Sequence, residues 1–151
     1  MKYLTFLIVI LTFSGCDRDG DSEQILEEMT YRRSACYGIC PVYSIEIDPN
    51  RTMRYIGKQY VAVKDTIYES VSKEQLIMLT AAFNECNYFS MNDNYTRMNM
   101  TDQATIYTSI RINGTNKSVN HYTGDSSAPD DLDTLYSKIE TILNVKRLIG
   151  E

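Results

Sequence analysis

The sequence predicts an α+β domain: an antiparallel sheet of hairpins with two amphipathic helices on one face. Three observations predict it. Tyr43, Ile45 and Ile47 alternate with Ser44, Glu46 and Asp48, the period of a strand buried on one side. Asn113-Gly114 separates two strand-like runs and is a strong short hairpin signal. Leu76, Leu79, Phe83 and Cys86, and later Leu132, Leu135, Ile139 and Ile142, recur at the three- and four-residue steps of a helix with one buried stripe.

Taken in order, Glu27 to Arg33 is a weakly patterned first strand, and Tyr43 to Asp48 a clearer second one. Asp48-Pro49-Asn50-Arg51 is a turn in which Pro sets one dihedral. Thr52 to Ile56 returns as a strand ending near Gly57, and Tyr60 to Val63 and Thr66 to Val71 are two further short strands. Ser72 starts the first helix, with Gln75 completing a capping box. Cys86 falls on the core-facing stripe near its end and reads as a packed, inert thiol. Asn87 to Gln103 is a polar, Met- and Asn-rich connection holding a short strand or an irregular loop. Ala104 to Ile112 and Thr115 to Tyr122 form the hairpin, and Gly124 to Ala128 breaks the pattern. Pro129 suits the first turn of the second helix, and Asp130, Asp131 and Asp133 suit its positive end. Both halves read as hairpin then helix, so a duplicated ββα unit is one arrangement the pattern allows. Polar residues on the outward strand positions fit a sheet whose other face is wet.

The N-terminus carries an address. Lys2 precedes an apolar run from Leu4 to Phe13, about half the roughly 20 residues that span a bilayer as a helix. It has the length and flank of a signal-peptide core. Ser14-Gly15-Cys16 then resembles a bacterial lipobox, with Phe13 standing where such motifs usually carry Leu. The resemblance implies cleavage after residue 15 and lipidation of Cys16, with a membrane as the anchored partner. Two or more acyl chains hold a protein stably where one does not. Residues 16–26 read as a lipidated cysteine and acidic tether, and residues 27–151 as a single domain. The expected location is the bacterial cell envelope, the outer membrane favoured over the inner, with the domain in the periplasm or at the surface. The alternating acids after Cys16 do not match an EF-hand loop, which wants Gly at position six where Ser22 stands.

Removing the leader, whose only charge is Lys2, takes the net charge from −5 to −6. No basic cluster exceeds Arg32-Arg33, so nucleic acid, which requires neutralised phosphates, is not an expected partner. With Cys16 assigned to lipid, Cys36, Cys40 and Cys86 remain. In an oxidising compartment that odd count leaves at least one free or paired between chains.

The densest motif is Cys36-Tyr37-Gly38-Ile39-Cys40-Pro41-Val42-Tyr43. It resembles the C-x-G-x-C-P-x-Y signature of a domain family of unknown function found in secreted bacterial lipoproteins. Tyr88-Phe89, Tyr95, Thr101-Asp102 and Asn113-Gly114 agree in order, and the resemblance covers roughly residues 27 to 147. It implies a family and no activity. Physically, the motif admits four readings. Cys36 and Cys40 can form a small disulfide loop, with Gly38 supplying unusual dihedrals and Pro41 stiffening the exit. They can be two reduced, packed thiols. They can form a thiol–disulfide exchange site, although such motifs commonly have two intervening residues rather than three, and a reactive thiolate needs a helix N-terminus or a nearby cation. With Cys86 and His121 they can make a Cys₃His zinc set, which the long spacings disfavour. The disulfide is the favoured reading, and no metal or cofactor is expected.

His121 is the only histidine; without a nucleophile motif it is expected at a surface or sheet edge. Asp102 is expected to make a turn or cap hydrogen bond. His121 and Asp102 are nonetheless the two candidate binding residues. The expected function is a non-catalytic envelope lipoprotein that binds a protein or cell-wall component. Thiol–disulfide redox activity at Cys36 and Cys40 is the alternative.

Overall fold

A computed structural model describes residues 24–151. The leader, Cys16 and most of the acidic tether lie outside the described residues. Seven strands form one sheet: β1 Leu26–Arg33, β2 Val42–Ile47, β3 Thr52–Gln59, β4 Thr66–Ser70, β5 Asn94–Tyr95, β6 Thr105–Ile112 and β7 Thr115–Tyr122. Their order is β4-β3-β2-β1-β6-β7-β5, antiparallel throughout except for the parallel β5–β7 pair. The first four strands are a meander in which each pairs with the next, as short turns favour. β6 returns to the free side of β1 and so becomes its second neighbour. β1 takes in Leu26, assigned to the tether by sequence, and buries it against the core.

Alternation sorts the two faces. Ile67, Tyr55, Ile45, Tyr31, Thr108 and Val119 are successive partners across six strands, and all but Ile67 are fully buried. The neighbouring row on the opposite face runs Tyr68, Arg54, Glu46, Thr30, Ser109 and Ser118, a polar surface facing water. Two helices, α1 Lys73–Glu85 and α2 Asp131–Ile142, cover the apolar face. The fold class is therefore α+β, as the pattern predicts. The halves do not repeat strand for strand, because four strands precede α1 whereas a hairpin and the two-residue β5 precede α2.

The capping box forms: the Gln75 amide N–H donates to Ser72 Oγ at 3.1 Å, and Gln75 Oε1 accepts the Ser72 amide at 2.9 Å. The same Gln75 side chain donates from Nε2 to the Ile142 carbonyl at 2.8 Å, so the start of α1 meets the end of α2. Thr80 Oγ1 accepts the Leu26 amide at 2.8 Å and fastens the start of β1 to α1. The Asn113-Gly114 turn has positive φ at both residues, 49° and 70°, which only a small or amide side chain tolerates cheaply.

Two expectations need correction. Tyr60 to Val63 is not a strand; β3 ends at Gln59 and Tyr60 turns the chain with φ 53°. Its amides bond elsewhere, with the Val63 N–H donating to the Leu148 carbonyl at 2.9 Å. That carbonyl belongs to α3, Lys146–Ile149, a C-terminal turn for which the sequence shows no signal. The second correction concerns His121, which is buried at 3% exposure rather than lying at a surface.

Candidate functional site

After β1 the chain stays on the sheet for one more residue: the Ser34 amide donates to the Thr105 carbonyl at 2.9 Å, and Ser34 Oγ accepts the Thr105 amide at 2.8 Å. It then leaves as a loop closed by a Cys36–Cys40 disulfide, with Cα atoms 5.8 Å apart. Gly38 takes φ 153°, which a side chain at that position rarely adopts. Its N–H donates to the Cys36 carbonyl at 3.0 Å, a tight turn around Tyr37. The Tyr37 amide in turn donates to the Asp102 carbonyl at 3.1 Å. With both loop ends tied, Tyr37 and Ile39 face solvent at 87% and 83% exposure.

Asp102 serves this loop through its backbone. It sits at φ 67°, and its Oδ2 accepts the Thr101 hydroxyl at 3.2 Å, so the Thr101-Asp102 pair holds a turn whose carbonyl braces the Cys36–Cys40 loop. The preceding residues carry Met98 and Met100, at 76% and 60% exposure. The Met100 amide donates to the Gly124 carbonyl at 3.1 Å. A Cβ on Gly124 would lie 2.3 Å from the Met100 carbonyl oxygen, so only glycine permits this approach. Four large apolar side chains are thus displayed on two loops that are hydrogen-bonded to each other at one end of the sheet.

Tyr43, last residue of the cysteine motif, fastens the loop's exit to α2. Its ring is buried beside Tyr31, centroids 5.6 Å apart, and its hydroxyl donates to Glu140 Oε1. The Tyr31 hydroxyl reaches the same oxygen at 3.3 Å. Burial and the adjacent Glu140 carboxylate push both phenols well above their ordinary pKa, so both stay protonated donors. Glu140 is a buried acid with two phenol donors, the pairing such a group requires.

His121 lies at the other side of the Met100 loop. Its Nδ1 meets the Tyr136 hydroxyl at 3.2 Å, and Tyr95 closes on its ring edge-on. Burial holds its pKa below the usual value. His121 lines a cavity of about 420 Å³ with Met100, Asp125, Asp130 and Asp133 among its other walls. Hydrogen bonds from Ser127 hold the Asp125 carboxyl below the usual range.

The sequence-predicted residues therefore divide. Cys36, Cys40 and Asp102 come together at the apolar loops, while His121 belongs to the acidic cavity, with Met100 between them. Cys86 caps α1, buried, its thiol donating to the Phe83 carbonyl at 3.2 Å, and burial raises its pKa, as expected of an inert thiol. Among the described residues no three or more His, Cys, Asp or Glu side chains are arranged to hold a metal. Tyr37, Ile39, Met98 and Met100 escaped sequence reasoning; the Met-rich run was their one signal. Tyr136 and Glu140 gave none, being a phenol and an acid beside an apolar stripe.

Residues 27–143 match the model of a protein family described as a domain of unknown function, DUF6438. The chain belongs to the DUF6438 family. The match takes in the disulfide loop, its Thr101-Asp102 brace, the Tyr43–Glu140 anchor and His121. No curated protein matches the chain. In this chain the DUF6438 domain is a helix-backed sheet with a disulfide-braced apolar end.

Proposed function

We propose that this protein is a bacterial envelope lipoprotein, anchored by lipid on Cys16, whose domain is a non-catalytic module that docks an envelope protein through the Tyr37/Ile39 loop. The observation carrying this reading is the exposure of Tyr37 and Ile39, 87% and 83%, on a loop tied by a disulfide and by Asp102. Burying such side chains on a partner is favourable at roughly 25 cal/mol per Å² of apolar surface, and a rigid loop loses little freedom on binding. Met98 and Met100 beside it are adaptable contact residues. β1 separates this loop from Leu26, the first strand residue, so the apolar end is not the part of the domain that directly follows the tether, which suits a protein partner better than the anchoring bilayer.

The redox alternative has less support. Neither sulfur lies at a helix N-terminus. Of the two arginines that precede Cys36, Arg32 is occupied by Glu46 at 3.3 Å and by the Tyr107 ring at 5.9 Å, whereas Arg33 Nε is buried without a hydrogen-bond partner among the described residues.

The test uses the full chain in its native envelope, with a photoreactive residue at 37, 39, 98 or at the wet-face position 68. The first three should give one shared adduct that position 68 does not, and Cys16→Ser should move the chain to the soluble fraction. No adduct, or the same adducts from position 68, contradicts the docking surface; a Cys16→Ser chain still on the membrane contradicts the anchor.

A further inference from the structure

The cavity around His121 shares Met100 alone with the docking surface, and its other walls are not used there. We propose that it is a binding site for a small organic ammonium that also carries a hydroxyl or carbonyl oxygen, the pattern of an amino alcohol or amino sugar. Its charged walls are all of one sign: Asp125, Asp130 and Asp133, with no Lys or Arg among the lining residues. Asp130 and Asp133 sit at the start of α2, where acids are ordinary, so charge alone identifies nothing.

The second observation is His121. It is 97% buried yet lines the cavity. Its Nδ1 is occupied by Tyr136, and Nε2 has no protein partner among the described residues although it is not sealed within the protein. The buried Tyr136 hydroxyl has no acceptor other than Nδ1 among the described residues. The network therefore assigns the ring proton to Nε2, which offers one N–H donor to the cavity. An oxygen acceptor on the ligand answers that donor, and an ammonium answers Asp130 and Asp133. Asp125 is largely satisfied by Ser127 and the Arg97 amide, so it adds field rather than a free ligand position. Among the described residues a metal ion finds no group of three or more ligating side chains here. The volume, about 420 Å³, lies in the range of small-molecule sites and holds a monosaccharide-sized ligand.

With a single histidine in the chain, its ring resonances report this site alone. The full chain in detergent is titrated near neutral pH with glucosamine, with glucose as the oxygen-only probe and methylammonium as the charge-only probe, all at constant ionic strength. The expected result is a saturable shift of the His121 signal with glucosamine, weaker with methylammonium and absent with glucose. Asp133→Asn, at an exposed position, should weaken glucosamine binding about tenfold while leaving the fold intact. No shift, an equal response to glucose, or unchanged affinity in both Asp133→Asn and Asp130→Asn overturns the proposal. Photo-adducts at positions 37 and 39 do not depend on this cavity, so the two readings fail separately.

Discussion

Tyr43 ties the cysteine motif to the opposite layer, and one atom carries that tie. Removing its hydroxyl in Tyr43→Phe keeps the ring stack but leaves Glu140 buried with a single, longer donor from Tyr31. An under-satisfied buried acid costs about 1–3 kcal/mol, so the thermal midpoint should fall by several degrees; an unchanged midpoint would contradict the anchor. His121 makes a second prediction. Its pKa is below 6.5 in the folded protein because of burial, opposed by Asp133 and Asp125. As pH falls below 6.5 the unfolded chain binds a proton that the folded one does not, so stability declines until pH passes the folded value. The groups facing the ring are Tyr136 and Asp133 of α2, Asp125 of the turn after β7, and Tyr95 of β5. Urea midpoints against pH should show this slope in the natural chain and lose it in His121→Gln. The burial itself was legible, since His121 shares the parity of Val119 on β7. A lone polar residue near a strand end outweighed that parity. Asp102 was readable as a turn residue, but its brace was not, because the atom that touches Tyr37 is a backbone carbonyl.

Elements whose signals are local could be read directly. The capping box at Ser72 and the Asn113-Gly114 turn use residues within four positions of each other, and both formed as expected. α3 and the 60–65 loop were not legible, since each satisfies the other's backbone across the fold. β5 is two residues long and exists only by pairing with β7. The disulfide loop belongs to this scale as well. Reading Cys36 and Cys40 as its ends followed from the assignment of Cys16 to lipid and of Cys86 to the buried stripe of α1. What spacing could not show is that the loop's tip is apolar and exposed while its exit is anchored. In Cys36→Ser/Cys40→Ser the fold should persist, because the core lies on the helix side of the sheet. Loop-closure entropy for so short a loop is about 2 kcal/mol, a loss of roughly 6–10 °C in thermal midpoint. A drop confined to a degree or two would show that the loop is already held by the Tyr37–Asp102 hydrogen bond.

On the scale of the whole molecule, the layers are segregated by task. Helices seal one face of the sheet, the other face is mostly polar, and Tyr37, Ile39 and Met98, the three most exposed large apolar side chains, lie with Met100 at the end carrying the cysteine motif. Isolated exposed apolar residues are ordinary, whereas several together on hydrogen-bonded loops mark an interaction site. The fold class was available from periodicity alone; the docking end was not, because it is assembled from loops sixty residues apart in sequence. The most direct measurement is the yield of the position-98 photo-adduct in Tyr37→Ser/Ile39→Ser, against Tyr68→Ser as the control. If the two tip residues carry the binding, as buried anchors in interfaces do, the yield should fall at least about tenfold in the double variant and stay unchanged in the control. An undiminished adduct in a folded Tyr37→Ser/Ile39→Ser chain would contradict the account.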